Sequence, residues 1–290
     1  MVLAEGTRAT ARRVLCAAVR RLQEAGVPEP EASAEILLSE LTGLRRGELY
    51  AGEFDLSRRQ LERYAEWIAA RERREPVQRI LGYAYFRNLR LQLNEETLVP
   101  RPETESVVEA VLERVDRRGG SCRVLDLGTG SGAIAVSVAQ ERPRCRVYAT
   151  DVSEAALRIA RLNAAAAGVE VEFRRADLAA GLEDLVNGVD LLVSNPPYVP
   201  AGDIPRLMPE VRDWDPPRAL DGGPDGLAFY RRIFSEAGRL LAPGAELVLE
   251  VGDGREGDVL RIGELYGYVA RGVRTDLGST PRAVLLSREV

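Results

Sequence analysis

The hydrophobic positions of the first 75 residues repeat with the period of an amphipathic helix. One apolar stripe ends at Gly26, a second ends at Gly43, and a third follows Ser57. Gln60 comes three positions after Ser57, which is the spacing of a capping box at a helix start. The stripes consist of Val14, Leu15, Ala18, Val19 and Leu22, of Ile36, Leu37 and Leu41, and of Leu61, Tyr64 and Ile68. The pattern predicts a small all-α bundle over residues 1–75.

Between Pro76 and Pro102 the apolar period changes from that of a helix to that of a strand. Apolar and polar residues alternate there on both sides of Asn88, which is typical of a β-hairpin. The alternating apolar residues are Tyr83, Tyr85, Leu89, Leu91 and Leu93. We expect residues 76–100 to form a hairpin that links two domains.

From Cys122 onward, short apolar runs alternate with helical stretches, as in a parallel sheet that helices cover on both faces. These runs are residues 124–127, 147–149, 171–173, 191–193 and 247–251. Two last runs, 269–273 and 283–286, are joined by a short loop and predict an antiparallel pair at the sheet edge. Residues 101–290 are therefore expected to form an α/β domain around a mostly parallel, seven-stranded sheet.

Charge and composition exclude several classes of protein. With 45% hydrophobic and 29% charged residues, the 290-residue chain has the composition of a globular protein. Its net charge of -5 offers no basic surplus for nucleic acid or an anionic membrane. No stretch reaches the roughly 18 apolar residues of a membrane span. We expect a cytoplasmic, monomeric protein that binds neither membrane nor nucleic acid directly.

Two residue types that are absent from the chain narrow the chemistry further. The chain has no His, and all 40 of its basic residues are Arg. Imidazole bases and Schiff-base lysines are therefore excluded, so a reaction must use carboxylates, amides, hydroxyls, backbone groups or a cofactor. The 3 cysteines form no CxxC pair, and we expect no bound metal.

A glycine-rich turn follows the first strand of the sheet and leads into a helix. Its glycines alternate with single residues, unlike the dinucleotide fingerprint, so the spacing disfavours NAD. Asp151 ends the second strand, where a carboxylate can accept both ribose hydroxyls of an adenosine, and Asp177 ends the third, near an adenine edge. Helix capping is the alternative role of both acids. The candidate cofactor residues are Asp126, Gly128, Thr129, Gly130, Ser131, Gly132, Asp151, Asp177, Leu178 and Asn195.

The fourth strand ends in Asn195-Pro196-Pro197-Tyr198, at the edge of the sheet where such folds bind ligands. A planar NH2 group is a poor nucleophile because its nitrogen lone pair is delocalised. The Asn195 side-chain oxygen and the Pro196 carbonyl can accept both of its N–H groups and orient the nitrogen. Tyr198 offers a flat apolar wall. Asn195 and Pro196 are the candidate catalytic residues, and all four residues are candidates for substrate binding.

The glycine turn with its two acids resembles the class I S-adenosylmethionine-dependent methyltransferases, which have a Rossmann-like fold. Three further segments extend the resemblance to the HemK/PrmC family: Leu98–Glu105, Glu210–Gly226 and Leu249–Gly252. This resemblance implies S-adenosylmethionine as the cofactor and the glutamine of Gly-Gly-Gln in peptide chain release factors as the substrate. It also implies that the N-terminal helices recognise the release factor.

Two segments depart from the pattern expected of that family. Arg255 replaces a frequent Gln, and the loop around residues 279–281 lacks the expected charges. Other functions stay open: methylation of a ribosomal-protein glutamine, methylation of adenine N6 in DNA, or a non-catalytic scaffold that binds the cofactor. The chemistry of the motifs alone does not separate the first of these from release-factor methylation.

Overall fold

The apolar stripes near the N-terminus lie on helices whose apolar sides are buried together. The computed structural model describes residues 10–51 and 54–288, and the chain divides after Gly82 into two units. In the first unit the described helices are α1 (Ala11–Glu24), α2 (Pro30–Thr42), α3 (Arg46–Ala51), α4 (Arg58–Glu72) and α5 (Val77–Leu81). The predicted capping box at Ser57 is confirmed, because the Gln60 amide donates to Ser57 Oγ and the Ser57 amide donates to Gln60 Oε1.

The core of the first unit is built from leucines on α1, α2 and α3. Leu15, Leu37 and Leu49 are almost completely buried, and Tyr64 on α4 donates from its hydroxyl to the Ala34 carbonyl at 2.9 Å. The stripe on α2 runs through Leu37 and Leu38, whereas Ile36, which the pattern had placed on the buried side, is 47% exposed.

The second unit begins with the hairpin, β1 (Tyr83–Phe86) and β2 (Leu89–Gln92). The predicted alternation is wrong at one position, because Tyr85 is 69% exposed and Phe86 is buried. Phe86 packs with Leu89 and Leu91 in a core that includes the first helix after the hairpin, and this apolar contact determines which face of the hairpin is buried. The structure thus turns the hydroxyl-bearing Tyr85 ring to solvent.

Among the residues described, seven strands of the second unit form one sheet in the order β5-β4-β3-β6-β7-β9-β8. These strands are β3 (Arg123–Leu127), β4 (Arg146–Asp151), β5 (Glu172–Arg175), β6 (Val189–Ser194), β7 (Leu241–Glu250), β8 (Tyr268–Thr275) and β9 (Pro281–Arg288). Strands β3 to β7 pair in parallel, and β9 is antiparallel to both β7 and β8. The predicted fold and its antiparallel edge pair are confirmed.

Helices cover both faces of this sheet. One face is covered by α6 (Thr104–Arg117), α7 (Ala133–Glu141) and α8 (Glu154–Ala167), and the other by α11 (Ala228–Ala237) and α12 (Glu256–Leu265). Two short helices, α9 (Pro209–Arg212) and α10 (Pro217–Leu220), lie in the segment between β6 and α11. Successive residues of β3 point to opposite faces, so Val124 packs with α6 and α7 whereas Leu125 packs with α11 and α12. No helix in the described part of the chain is long and apolar enough to cross a bilayer.

The arrangement of the strands places the candidate site. β3 lies between β4 and β6. The chain first adds β4 and β5 on one side of β3, and then returns to add β6 and β7 on its other side. In open α/β sheets such a switch point opens a crevice at the carboxyl ends of the strands. Because Leu127 pairs with Ser194, the segments that follow β3 and β6 start side by side at that edge.

The helical core yields a test with two neighbouring residues of α2. Replacing buried Leu37 by Ala should lower the free energy of unfolding of the first unit by about 2–5 kcal/mol, because it leaves a cavity among leucines. Ile36→Ala is the control, and we expect it to change that energy by less than about 0.5 kcal/mol. Hydrogen exchange of the α2 amides under native conditions measures both. Equal losses of protection would contradict the assigned core.

Candidate active site

The glycine turn after β3 is held against the end of β4 by backbone hydrogen bonds. The Thr150 carbonyl accepts from the amides of Gly128 at 2.9 Å and Thr129 at 2.8 Å. Gly132 adopts a φ of 84° at the start of α7, and a Cβ there would lie 3.2 Å from the Cβ of Ala160. This position therefore excludes larger residues, so that α7 and α8 can approach each other.

Two carboxylates flank this turn, a buried one on Asp126 and a half-buried one on Asp151. Asp151 Oδ2 accepts from the Gly130 amide at 2.9 Å, and burial raises the pKa of Asp151. Ser153 caps α8, so the alternative that Asp151 serves as that cap is wrong. Asp126 is 1% exposed, and burial raises its pKa to about 7, although Thr129 Oγ1 donates to Oδ2 at 2.6 Å. Its other oxygen, Oδ1, is buried and lacks a hydrogen-bond partner.

A cavity of about 350 Å³ lies at the carboxyl edge of the sheet, and its size suits a small-molecule site. It brings together most of the residues that the sequence analysis singled out. The predicted residues in its wall are Asp126, Gly128, Thr129, Gly130, Ser131, Asp151, Asp177, Leu178, Asn195, Pro196 and Pro197. In the part of the chain that the structure describes, no cluster of three or more His, Cys, Asp or Glu side chains is arranged for a metal.

Two predicted residues are not among those that line the cavity. Gly132 begins α7 and packs against α8, as described above. Tyr198 turns toward β7, where its ring leaves no room for a side chain at Gly252: a Cβ there would lie 2.9 Å from Tyr198 Cδ2. Tyr198 itself therefore lies outside this wall, which includes the aromatic ring of Phe229.

Asp177 and Leu178 follow β5, whereas the Asn-Pro-Pro segment follows β6, and β4 and β3 lie between those two strands in the sheet. Asp177 is exposed and forms an ion pair of 3.1 Å with Arg232 of α11. Leu178 is buried and has a φ of 51°. The structure thus places both residues at the cavity, with the Asp177 carboxylate shared with an arginine.

Several wall residues have no role assigned from the sequence. Glu96, which follows the hairpin, pairs with Arg218 at the start of α10 and accepts from Ser153 Oγ at 3.1 Å. Arg101 donates to Asp215, whose side chain is fully buried, at 2.6 Å. The Arg101–Asp215 pair connects the segments 98–105 and 210–226 that carried the family resemblance, and the Glu96–Arg218 pair connects the residues just before the first segment to the second. Neither pairing could be predicted from one sequence.

Thr104 and Glu250 form a second unassigned group beside Asn195. Asn195 Nδ2 donates to Thr104 Oγ1 at 3.3 Å, and Thr104 also lines the cavity. Glu250 ends β7 and is 2% exposed, and burial raises its pKa to about 7. Hydrogen bonding from Thr104 and Tyr198 lowers that pKa in part. An acid at the end of a buried strand was the sequence signal for Glu250.

The two departures from the family pattern lie away from this chemistry. Arg255 precedes α12 and donates to Asp258 at 3.3 Å. Ser279 has a φ of 64° in the loop between β8 and β9, where Asp276 Oδ1 accepts from the Gly278 and Thr280 amides. Neither segment contributes a residue to the cavity wall.

The switch-point cavity, the alternating glycines and the acids at the ends of β3 and β4 fit an adenosyl cofactor with a cationic centre, and Asp126 Oδ1 is an unused acceptor for its amino group. Together they define an S-adenosylmethionine-dependent methyltransferase of the class I fold. The chain matches the PrmC N-terminal domain over residues 13–82 and the Methyltransferase small domain over residues 104–207.

Curated relatives specify the family. The chain is 44% identical over 271 residues to the release factor glutamine methyltransferase of Streptomyces coelicolor, covering 91% of this chain and 93% of that protein. It is 41% identical to the protein of the same name from Rhodospirillum rubrum, covering 95% of this chain and 84% of the relative. The chain therefore belongs to the family of release factor glutamine methyltransferases.

Solved structures agree on the fold. A methyltransferase from Pyrococcus furiosus superposes with a TM-score of 0.50 at 19% identity, covering 70% of this chain and 91% of that one. The hMettl16 catalytic domain superposes with a TM-score of 0.53 at 15% identity, covering 83% and 86% of the two chains. At these identities the likeness supports the class I architecture alone.

The contacts of Asp151 generate a test of cofactor binding. Because a hydrogen bond to a charged group is worth about 1.5–3 kcal/mol, Asp151→Ala should weaken S-adenosylmethionine binding roughly ten- to a hundred-fold. Glu154→Ala removes an acid three residues away that pairs with Arg161 on the surface, and it should leave the affinity unchanged. Calorimetry measures both affinities. If the two variants bind equally well, Asp151 is not a cofactor ligand.

Proposed function

We propose that this enzyme methylates the side-chain amide nitrogen, N5, of the glutamine in the Gly-Gly-Gln motif of peptide chain release factors. One observation carries the proposal: Asn195, Pro196 and Pro197 line the same cavity as the glycine turn and Asp151. A planar amide bound at the Asn-Pro-Pro segment would therefore contact a cofactor bound at the glycine turn and Asp151 within a single cavity. The names of the curated relatives supply the protein substrate.

On the cofactor side, the residues of this chain bind and orient. When bound, S-adenosylmethionine supplies an electrophilic methyl group. The Asp151 carboxylate would hold its ribose hydroxyls, and Asp126 Oδ1 would accept from its amino group. The Gly128–Gly132 turn lets the backbone come close to the carboxylate end. Asp177 and Leu178 would lie beside the adenine.

On the substrate side, Asn195 Oδ1 and the Pro196 carbonyl accept the two N–H groups of the glutamine amide. Those hydrogen bonds orient the nitrogen lone pair toward the methyl carbon and restrict the amide to a reactive geometry. As the nitrogen–carbon bond forms, the methyl–sulfur bond would break, and its electron pair would stay on the sulfur of the departing thioether. Proline lacks an N–H group, so neither proline donates a competing hydrogen bond. No strong base is needed, because the nitrogen becomes acidic once it is methylated and then loses its proton to water.

Recognition of the whole release factor requires more contact area than an amide pocket offers. We propose that the helical unit at residues 10–82 supplies it. The competing substrates are a ribosomal-protein glutamine and DNA adenine. The net charge of -5 disfavours DNA, because phosphates need basic partners. The monomeric state and the cytoplasmic location stay predictions from the sequence.

A parallel substrate assay tests the proposed function. The enzyme is offered labelled S-adenosylmethionine with a release factor, the same factor with its Gly-Gly-Gln glutamine replaced, a short Gly-Gly-Gln peptide, ribosomal proteins and duplex DNA. We expect strong label in the intact factor, much weaker label in the peptide, and only background in the others. Label in DNA, or undiminished label in the glutamine-replaced factor, would show that the substrate is a different one.

Asn195→Ala tests the role of the amide acceptor. We expect turnover to fall by on the order of a hundred-fold or more, comparable to the loss of one preorganised polar contact in a transition state. Cofactor affinity should stay close to that of the unaltered enzyme. Asn88→Ala, at the exposed hairpin turn, is the matched control. Near-normal turnover in Asn195→Ala would mean that another residue orients the substrate amide.

A further inference from the structure

We propose that Glu250 and Thr104 are positioning residues that determine which end of the Asn195 side-chain amide faces the substrate. The inference rests on the proposed function, in which Asn195 Oδ1 accepts an N–H group of the substrate amide. An asparagine amide has nearly the same shape in its two flipped orientations, but one presents oxygen to the cavity and the other presents NH2. Only the first orientation can bind a substrate NH2 group.

The register of the sheet brings the three residues together. Ser194 of β6 pairs with Leu249 of β7, so the next residues, Asn195 and Glu250, end neighbouring strands at the same level. Thr104 is the first residue of α6 and is 4% exposed. The three residues thus come from separate elements, and two of them, Thr104 and Asn195, line the cavity, while Glu250 lies behind them in the protein interior.

The direction of each hydrogen bond follows from the chemistry of the three groups. Hydrogen bonding from Thr104 lowers the pKa of Glu250. Because an ionised carboxylate only accepts, the hydroxyl of Thr104 is the donor whenever the two groups bind each other. Toward Asn195 the same hydroxyl then acts only as an acceptor. The structure has this arrangement, with Asn195 Nδ2 donating to Thr104 Oγ1 at 3.3 Å. Asn195 Oδ1 is the end of the amide that Thr104 does not bind.

The surroundings of Glu250 explain why it can respond to pH. Burial raises its pKa to about 7, and Oε2 has no hydrogen-bond partner. Tyr230 fixes the backbone there by donating from its hydroxyl to the Glu250 carbonyl at 2.7 Å. The charged and titratable groups that act on Glu250 or on its hydrogen-bond partner Tyr198 are Arg282 of β9, Glu103 and Arg101 before α6, Tyr198 after β6, and Tyr230 of α11.

Neutral Glu250 removes the constraint on the hydroxyl. A protonated carboxyl, or a glutamine amide, can donate to Thr104, which is then free to donate its own proton to Asn195 Oδ1. The Asn195 amide flips, and its NH2 group meets the NH2 group of the substrate. Two donors then face each other, and the substrate amide loses an acceptor.

The first experiment uses Glu250→Gln in the full chain, which preserves shape and removes the charge. We expect kcat for release-factor methylation at pH 8 to fall at least ten-fold, with S-adenosylmethionine affinity within two-fold of the unaltered enzyme. In the unaltered enzyme kcat should rise with pH through about 7, and in Glu250→Gln this dependence should be absent.

Stability at pH 8 is the control for folding of this variant. An acid whose pKa is higher in the folded than in the unfolded protein destabilises the fold once it is ionised, above its folded-state pKa. The variant should therefore unfold at pH 8 no earlier than the unaltered enzyme.

A pair of Thr104 variants separates the hydroxyl from the shape of the side chain. Thr104→Ser keeps the hydroxyl and should retain kcat within a few-fold. Thr104→Val keeps the shape without the hydroxyl and should lose at least ten-fold in kcat. If Thr104 had a purely structural role, Thr104→Val should retain at least as much kcat as Thr104→Ser, because valine fills the buried site better than serine.

A readout without substrate keeps the inference separate from the proposed function. In 15N-labelled protein, the side-chain NH2 signals of Asn195 are identified by their loss in Asn195→Ala. They should move with pH around 7 in the unaltered protein and be independent of pH in Glu250→Gln. The inference would be overturned if the Asn195 signals did not move with pH in either protein, or if kcat were equal in Glu250→Gln and the unaltered enzyme. Failure of the unaltered enzyme to label the release factor would instead refute the proposed function.

Discussion

The parallel register of β6 with its two neighbours is the constraint on which the site depends. Pairing of Ser194 with Leu127 on one side and with Leu249 on the other fixes the level at which three strands end. The glycine turn, Asn195 and Glu250 follow those three ends directly. Because the carboxyl ends of parallel strands lie at one edge, the candidate cofactor and substrate residues line one cavity without a long loop to hold them. A shift of β6 by one residue would exchange its buried faces and misplace Asn195 as well.

Two buried acids in this part of the protein lower the stability of the fold when they are ionised. Asp126 and Glu250 are 1% and 2% exposed, and burial raises the pKa of each to about 7. Each also has one oxygen without a hydrogen-bond partner. A buried acid of this kind destabilises the fold once it ionises, whereas an apolar residue would not. Buried acids with strongly shifted pKa values are typical of functional sites, and here Asp126 lines the cavity while Glu250 ends the strand beside the Asn-Pro-Pro motif.

The walls of the cavity are assembled by polar pairs between segments that are distant in sequence. Arg101 and Asp215 join the segment before α6 to the segment after the Asn-Pro-Pro motif, and Glu96 and Arg218 repeat this link. The Asp215 side chain is fully buried and Arg101 is 33% exposed, so solvent screens this pair less than it screens a pair on the surface. These contacts give the two segments a common role: through Glu96, Arg101 and Arg218 they form part of the cavity wall.

The sequence by itself determined the class of fold, the glycine turn, Asp151 and the Asn-Pro-Pro segment, because strand periodicity and glycine spacing are local signals. It also determined the capping box at Ser57. Only the tertiary structure decided that Tyr198 packs against Gly252 instead of lining the cavity, and that Phe86 replaces Tyr85 on the buried face of the hairpin. The sequence did not predict the link from Glu250 through Thr104 to Asn195 either, since strand register brings these three elements together. Packing and register are relations between segments, and no local pattern encodes them.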